Sequence, residues 1–175
     1  MAIVGIDQLA KYLVVANLQE GVTVPFVGEL VQLHFVRNAG AAFSLGVGAT
    51  WLFAIVGALV AVFIIVFIRR IRSMAWATVF GMLLGGLLGN LLDRLFREPS
   101  FGQGHVIDFI QLWGFPAIFN VADVAITFSV VILVLLTLIG VGLDGHRARK
   151  AGGADPVHPM PDESGSRLGG GDGAA

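Results

Sequence analysis

The chain contains no cysteine, a single tyrosine and few charges of either sign, since Asp, Glu, Lys and Arg make up only 13% of its 175 residues. Without cysteine there is no disulfide, no thiol nucleophile and no thiolate metal site, so any part outside a cell is held by packing alone. A formal net charge of −1 gives no electrostatic ground for expecting a nucleic-acid partner. In place of charge stand apolar residues, 56% of the total, with a mean hydropathy of +0.85. That composition lies outside the range of soluble domains and reads as an integral membrane protein.

Charge also avoids particular stretches. None falls between Arg37 and Arg69, between Arg72 and Asp93, or between Asp123 and Asp144. A helix rising about 1.5 Å per residue crosses roughly 30 Å of hydrocarbon in about 20 residues. Trp51 to Ile68, Ala75 to Leu92 and Val124 to Leu143 are therefore predicted spans. Met1 to Leu18 is a fourth, interrupted by Asp7, Gln8, Lys11 and Asn17, and it starts so abruptly that its first turns are expected upstream. It lacks a basic leader and a small-residue cleavage site, so it reads as a retained span rather than a cleaved signal. The predicted fold class is an all-α membrane protein of four transmembrane helices carrying a small extracytoplasmic β-sheet. Residues 1–150 form one domain, with loops at 19–50 and 94–120, and the Gly- and Pro-rich residues 151–175 form a disordered tail.

Arg69, Arg70 and Arg72 follow the second span, and Arg147, Arg149 and Lys150 follow the last; together they outnumber Arg37, Arg94 and Arg97 on the other side. The positive-inside rule then puts both termini and the tail in the cytoplasm and both loops outside. In the first loop Val31, Leu33 and Phe35 alternate with Gln32 and His34, the period of short strands. The second loop mixes Gly, Pro, Trp and Phe and reads as a segment lying at the headgroup level, with Asp108 inside it.

Asp108 in GHVIDF and Asp123 in FNVADVAI are acids in lipid-like company. Such carboxylates are costly unless hydrated, paired or protonated, which makes them functional candidates. Two of them close together cannot both ionise, so a pair holds an acid and a base at neutral pH, the equipment for activating water. Asn120 followed by Asp123 after Pro116 is equally the pattern of an ordinary helix cap, and both readings stand at this point. A helix N-terminus attracts negative charge, which leaves Asp108 as the expected proton carrier.

Gly86, Asn90 and Arg94, at i, i+4 and i+8, fall on one line of a helix; the plain alternative is Arg94 snorkelling to headgroups beside Asp93. Gly81, Gly85 and Gly89 form a small-residue stripe for close helix approach. Asp7 and Lys11, four apart, are placed to neutralise one another on one helix face. Asn38 sits where the first loop returns to the membrane, which a plain turn explains equally well. His34, His105, His146 and His158 show no ligand spacing, so neither a metal nor another cofactor is expected. A Ser44–Lys11 nucleophile has nothing to bring it together, and the GxSxG motif is missing.

Intramembrane acids with a lysine also describe a proton-coupled carrier, although a carrier holds its acids near the bilayer midplane and these lie near one face. A structural subunit whose charges merely assemble helices is a third class.

DQLAK at Asp7 to Lys11, RNAGAAFS at Arg37 to Ser44, GGLLGNLLDR at Gly85 to Arg94, HVIDF at His105 to Phe109 and FNVADVAI at Phe119 to Ile126 closely resemble the lipoprotein signal peptidases, signal peptidase II. The likeness runs in order from Asp7 to about Leu143. It implies a bacterial plasma-membrane aspartic endopeptidase, multi-pass, with its active site near the outer face. Such an enzyme cuts signal peptides from prolipoproteins just before a diacylglyceryl-modified cysteine. The resemblance puts Asp108 and Asp123 at the positions of the family's catalytic aspartates. Asn38, Gly86, Asn90, Arg94, Asn120, Asp7 and Lys11 fall on positions that orient the dyad, bind substrate or hold the site together. Implied partners are lipidated prolipoproteins, membrane lipids and globomycin-like cyclic peptide inhibitors; a monomer and no cofactor are expected. Family members carry more apolar residues ahead of the DQ motif than the six found here, and the tail has no counterpart among them.

Overall fold

The computed structural model describes residues 2–40 and 50–146. Ser44, the basic cluster Arg147, Arg149 and Lys150, His158 and the tail 151–175 lie outside the described residues. In chain order the elements are α1 (Ala2–Asn17), β1 (Thr23–Val27), β2 (Val31–Asn38), α2 (Thr50–Phe67), α3 (Met74–Phe96), β3 (Val106–Leu112), β4 (Ile118–Phe119) and α4 (Val121–Leu138). A single 3-10 turn, Ile68–Arg70, extends α2.

Thr50–Arg70, Met74–Phe96 and Val121–Leu138, with mean hydropathies of 3.0, 1.6 and 2.5, are long and apolar enough to cross a membrane. Helix α1 has 16 residues, a rise of about 24 Å, which is less than a full crossing of about 30 Å requires. The last span stops at Leu138 rather than Leu143, because Gly140 takes φ of 70° and turns the chain. The residues after it clasp the turn between α2 and α3. The N–H groups of Arg72 and Ser73 donate to the Leu143 carbonyl at 3.1 and 3.0 Å, and Trp76 Nε1 donates to the Val141 carbonyl at 3.0 Å. Arg69, Arg70 and Arg72 therefore sit at the end of the bundle opposite the sheet.

The sheet is antiparallel in the order β1-β2-β3-β4. Strand β2 is where the alternation places it. The second loop, where no strand was expected, contains one, Val106–Leu112. Val106, Ile107, Phe109 and Ile110 are β-branched and aromatic, and the free edge of β2 gives them a ladder, with Val36 opposite Asp108 and Asn38 opposite Val106. The Gly, Pro and Trp residues that suggested a loop belong to its flanks. Asp108 thus stands on a rigid strand, not in a loop.

Alternation along β3 turns Ile107 and Phe109 toward Val14 of α1 and Phe35 of β2, forming a buried cluster in which Ile107 is 0% exposed. Val106 and Asp108 face the other way, into a cleft.

Helix α3 packs against each of the other three helices. Its small residues decide how closely. A methyl group at Gly86 would lie 2.5 Å from the Ala122 carbonyl oxygen and 2.8 Å from Ile126 Cγ1, so α4 passes directly over this position. Gly85 meets Ile3 and Gly89 meets Asp7, whereas nothing among the described residues lies within 4 Å of a Cβ at Gly81. The packing stripe is therefore Gly85, Gly86 and Gly89, and Gly81 is not part of it.

Gly86→Ala should push α4 away from α3 and cost about 1–3 kcal/mol of stability, the usual penalty of overpacking. Gly81→Ala should instead add up to about 1 kcal/mol, because it removes the backbone freedom of an unpacked helical glycine. Thermal unfolding in detergent micelles compares the two, and the reverse order would contradict this packing.

Candidate active site

Five elements deliver polar side chains to one region at the sheet end of the bundle. Strand β2 brings Asn38, β3 brings Asp108, α3 brings Asn90 and Arg94, and the start of α4 brings Asn120 and Asp123. Asp7 and Lys11 approach from α1 behind them. Asn38, Asn90, Arg94, Asp108 and Asp123 line a cleft of about 970 Å³ whose opposite wall is apolar, with Phe115, Phe119, Val124 and Phe128.

The start of α4 resolves the question left open by the sequence. Asn120 Oδ1 accepts from the Asp123 N–H at 3.0 Å, and Asp123 Oδ2 accepts from the Asn120 N–H at 3.1 Å, a complete capping box. The plain reading is correct, yet it uses only the oxygen of the Asn120 amide. Its nitrogen is free for other work: Nδ2 donates to Asp108 Oδ1 at 2.6 Å and to Asn90 Oδ1 at 3.0 Å. One helix cap thus touches both carboxylates.

The orientation of each amide follows from what its neighbours can offer. Lys11 Nζ is a donor only and meets Asn90 Oδ1 at 3.0 Å, so the Asn90 oxygen faces α1. Asn90 Nδ2 must then face the acceptor, and it donates to Asp123 Oδ1 at 2.7 Å. Both Asp123 oxygens and both Asp108 oxygens are consequently occupied, the last by Asn38 Nδ2 at 2.8 Å.

Asp108 is 2% exposed. Burial is the largest influence on its carboxyl and pushes its pKa up to about 6; repulsion from Asp123 adds to the rise, while the hydrogen bonds from Asn38 and Asn120 oppose it. Desolvation wins, so Asp108 exchanges its proton close to neutrality.

Arg94 does not snorkel beside Asp93. Its Nη2 donates to the Gly40 carbonyl at 2.8 Å, its guanidinium lies 5.1 Å from the centre of the Phe53 ring, and its buried Nη1 has no hydrogen-bond partner among the described residues. The partner of Asp93 is Arg97, whose Nε approaches at 2.6 Å. The Asp7–Lys11 ion pair is present at 2.8 Å, and both residues are 0% exposed. Lys11 reaches Asp93 as well, also at 2.8 Å.

Asp93 and Gln8 are the residues that sequence reasoning missed. Gln8 Nε2 donates to Asp93 Oδ1 at 3.1 Å and to the Gly89 carbonyl at 3.0 Å. Asp93 lies three residues after Asn90 on α3 and next to the face that carries it, so helical spacing from Asn90 was the signal available.

A family model described as Signal peptidase (SPase) II matches residues 1–139. A lipoprotein signal peptidase from Leifsonia xyli subsp. xyli is 59% identical over 159 residues, covering 90% of this chain and 74% of that protein. One from Rhodococcus jostii is 46% identical over 141 residues, covering 81% and 71%. One from Mycobacterium avium is 40% identical over 148 residues, covering 85% and 81%. Two solved structures, each described as a bacterial membrane enzyme, superpose with TM-scores of 0.70 and 0.68 at 26% identity. Each covers 78% of this chain, and the matches span 82% and 87% of theirs.

The Asn38 hydrogen bond favours the ionised form of Asp108, so Asn38→Ala should move the Asp108 titration above about 6. The carboxyl stretch in infrared difference spectra, with Asp108→Asn as the reference, reads the midpoint. A fall or no change would show that this contact is not holding the carboxylate.

Proposed function

The chain belongs to the signal peptidase II family, and on that footing we propose that it removes signal peptides from prolipoproteins as an aspartic endopeptidase whose dyad is Asp108 and Asp123. It is a multi-pass protein of the bacterial plasma membrane and a protease by family. The observation that carries the aspartic reading is that two carboxylates from separate elements, β3 and α4, bond the same residue, Asn120, and face one cleft.

In the reactive form Asp108, whose pKa is raised to about 6, carries a proton and hydrogen-bonds the scissile carbonyl, and Asp123 acts as the base. A water between them loses a proton to Asp123 while its oxygen adds to the carbonyl carbon and Asp108 passes its own proton to the carbonyl oxygen. The resulting gem-diol collapses as the Asp123 proton passes to the leaving nitrogen and one hydroxyl returns a proton to Asp108, and the C–N bond breaks without a covalent enzyme intermediate. Asn90 and Asn120 hold the carboxylates so that little reorganisation accompanies the reaction. Arg94 lines the cleft with a buried Nη1 that has no partner among the described residues, which supports a role in binding a substrate carbonyl or lipid phosphate oxygen.

The apolar wall of the cleft suits the diacylglyceryl chains of a modified cysteine, so the substrate is read from within the membrane. Arg69, Arg70 and Arg72, at the far end of the bundle, support an orientation with the sheet and dyad at the outer face and both termini in the cytoplasm. Placement of Asp123 at the first turn of α4 and of Asp108 on β3 also favours a peptidase over a carrier, whose acids belong at the midplane. We take residues 1–150 as one catalytic domain acting as a monomer without a metal or other cofactor.

Asp108→Asn and Asp123→Asn should each leave the protein folded and lower cleavage by at least about 10²–10⁴-fold, the range of general acid–base catalysis. The assay is a gel shift of a lipidated precursor in proteoliposomes, with the wild-type shift blocked by globomycin. Full activity in either variant rules out the dyad.

A further inference from the structure

Strand β2 ends at Asn38, opposite Val106, and the two residues that follow lie beyond the ladder. Three hydrogen bonds among the described residues hold them instead. The Gly40 N–H donates to Asn38 Oδ1 at 3.0 Å, Arg94 Nη2 donates to the Gly40 carbonyl at 2.8 Å, and Thr50 Oγ1 donates to the Ala39 carbonyl at 2.6 Å. The first and last of these belong to one peptide unit, Ala39–Gly40. Its N–H is on the Asn38 amide, and its carbonyl is on Thr50, which opens α2 and is 6% exposed.

We propose that Thr50 is a positioning residue of the site: by holding the Ala39–Gly40 peptide unit it fixes which end of the Asn38 amide meets Asp108. The proposal rests on the dyad reading above and adds to it a residue that touches no reacting atom.

An amide has a donor end and an acceptor end of nearly the same shape, so packing alone does not choose between them. With Oδ1 spent on the Gly40 N–H, Asn38 has Nδ2 to turn toward Asp108 Oδ2, 2.8 Å away. A peptide unit free to rotate would take that N–H elsewhere, and a reversed amide would set an oxygen against the carboxyl group. Thr50 can supply the restraint because of where it stands. Thr78 and Thr137, inside α3 and α4, spend their hydroxyls on the carbonyl four residues earlier, at 2.9 and 2.8 Å. The first residue of a helix has no such carbonyl in its own helix, so its hydroxyl is left for another partner. The bond also joins α2, which packs chiefly on α3, to the strand that faces Asp108. The charges around Asp108 are Asp123 on α4, Lys11 on α1, Arg94 and Asp93 on α3 and Arg37 on β2. Of these side chains only Arg94 bonds the Ala39–Gly40 segment, at the Gly40 carbonyl, so removing the Thr50 hydroxyl leaves the charges in place.

The test reads the Asp108 midpoint by infrared titration of the full chain in proteoliposomes, with Asp108→Asn as the reference. Thr50→Val keeps the side-chain shape and removes the hydroxyl. The midpoint should then rise above about 6, by no more than it does in Asn38→Ala, because the bond from Asn38 is what favours the carboxylate. Thr50→Ser should return it to the wild-type position. The alkaline limb of the pH–rate profile for a lipidated precursor should move up with it, since Asp108 reacts protonated. In an Asn38→Ala background Thr50→Val should add nothing, as expected of two residues acting through one contact. An unchanged midpoint in Thr50→Val, or a rise of the same size with and without Asn38, would overturn the proposal. Should Thr50→Val fail to fold, Thr50→Ala is compared with Thr50→Ser in the same way. The midpoint is read without substrate, so the two readings fail separately. An active Asp108→Asn removes the reaction that Thr50 serves, whereas an inactive Asp108→Asn with an unchanged midpoint in Thr50→Val removes Thr50 alone.

Discussion

The hydrogen bond from Asn120 Nδ2 to Asn90 Oδ1, 3.0 Å long, is the point on which the site turns. It joins the first residue before α4 to the middle of the polar line on α3, and it is possible only because Gly86 lets the two helix backbones meet one turn earlier. From this contact the amide of Asn90 reaches Asp123 and that of Asn120 reaches Asp108. Each amide has one oxygen and two protons: Asn120 uses its oxygen and both protons, and Asn90 uses its oxygen twice and one proton on Asp123. Neither can flip without presenting a donor to Lys11 or an acceptor to a carboxylate. The polar groups are thus fixed by mutual exclusion, the condition under which a buried network rigidifies a site rather than weakening it.

Acids so deep in an apolar bundle are tolerated because the donors around them were chosen to match. Asp123 is served by a backbone N–H and an amide, Asp108 by two amides, and the outright cations are kept one layer back on Asp7 and Asp93. An arginine or lysine bonded directly to Asp108 would hold it ionised. Amides leave desolvation in command, which is why Asp108 titrates near about 6 and can give up its proton at neutrality. Arg94 lines the cleft, and its buried Nη1 has no partner among the described residues.

Much of this was legible in the chain. Gaps in charge marked α2, α3 and α4 because a membrane span is defined by what it excludes, and the alternation from Val31 to Phe35 marked β2 because one face of that strand is buried. The capping pattern at Asn120 and Asp123 is local and was readable as such. Strand β3 was not, because its flanks are rich in Gly, Pro and Trp and its partner lies some seventy residues earlier on β2, opposite Asn38 and Val36. Asp93 was hidden for the same kind of reason: its meaning comes from Gln8 and Lys11 on a helix that sequence distance puts far away. The end of α4 was overshot because apolarity continues through Val141 and Leu143, whereas Gly140 stops the helix by conformation and not by polarity.

The central claim is that Asp108 and Asp123 form one electrostatic unit, and it can be examined without substrate. Replacing Asp123 by Asn keeps the side-chain shape and removes the charge whose repulsion helps to raise Asp108. Infrared titration of Asp108 in that variant should give a midpoint below about 6, its wild-type position. An unchanged midpoint would mean that the two carboxyl groups do not sense one another, and that they are not a dyad.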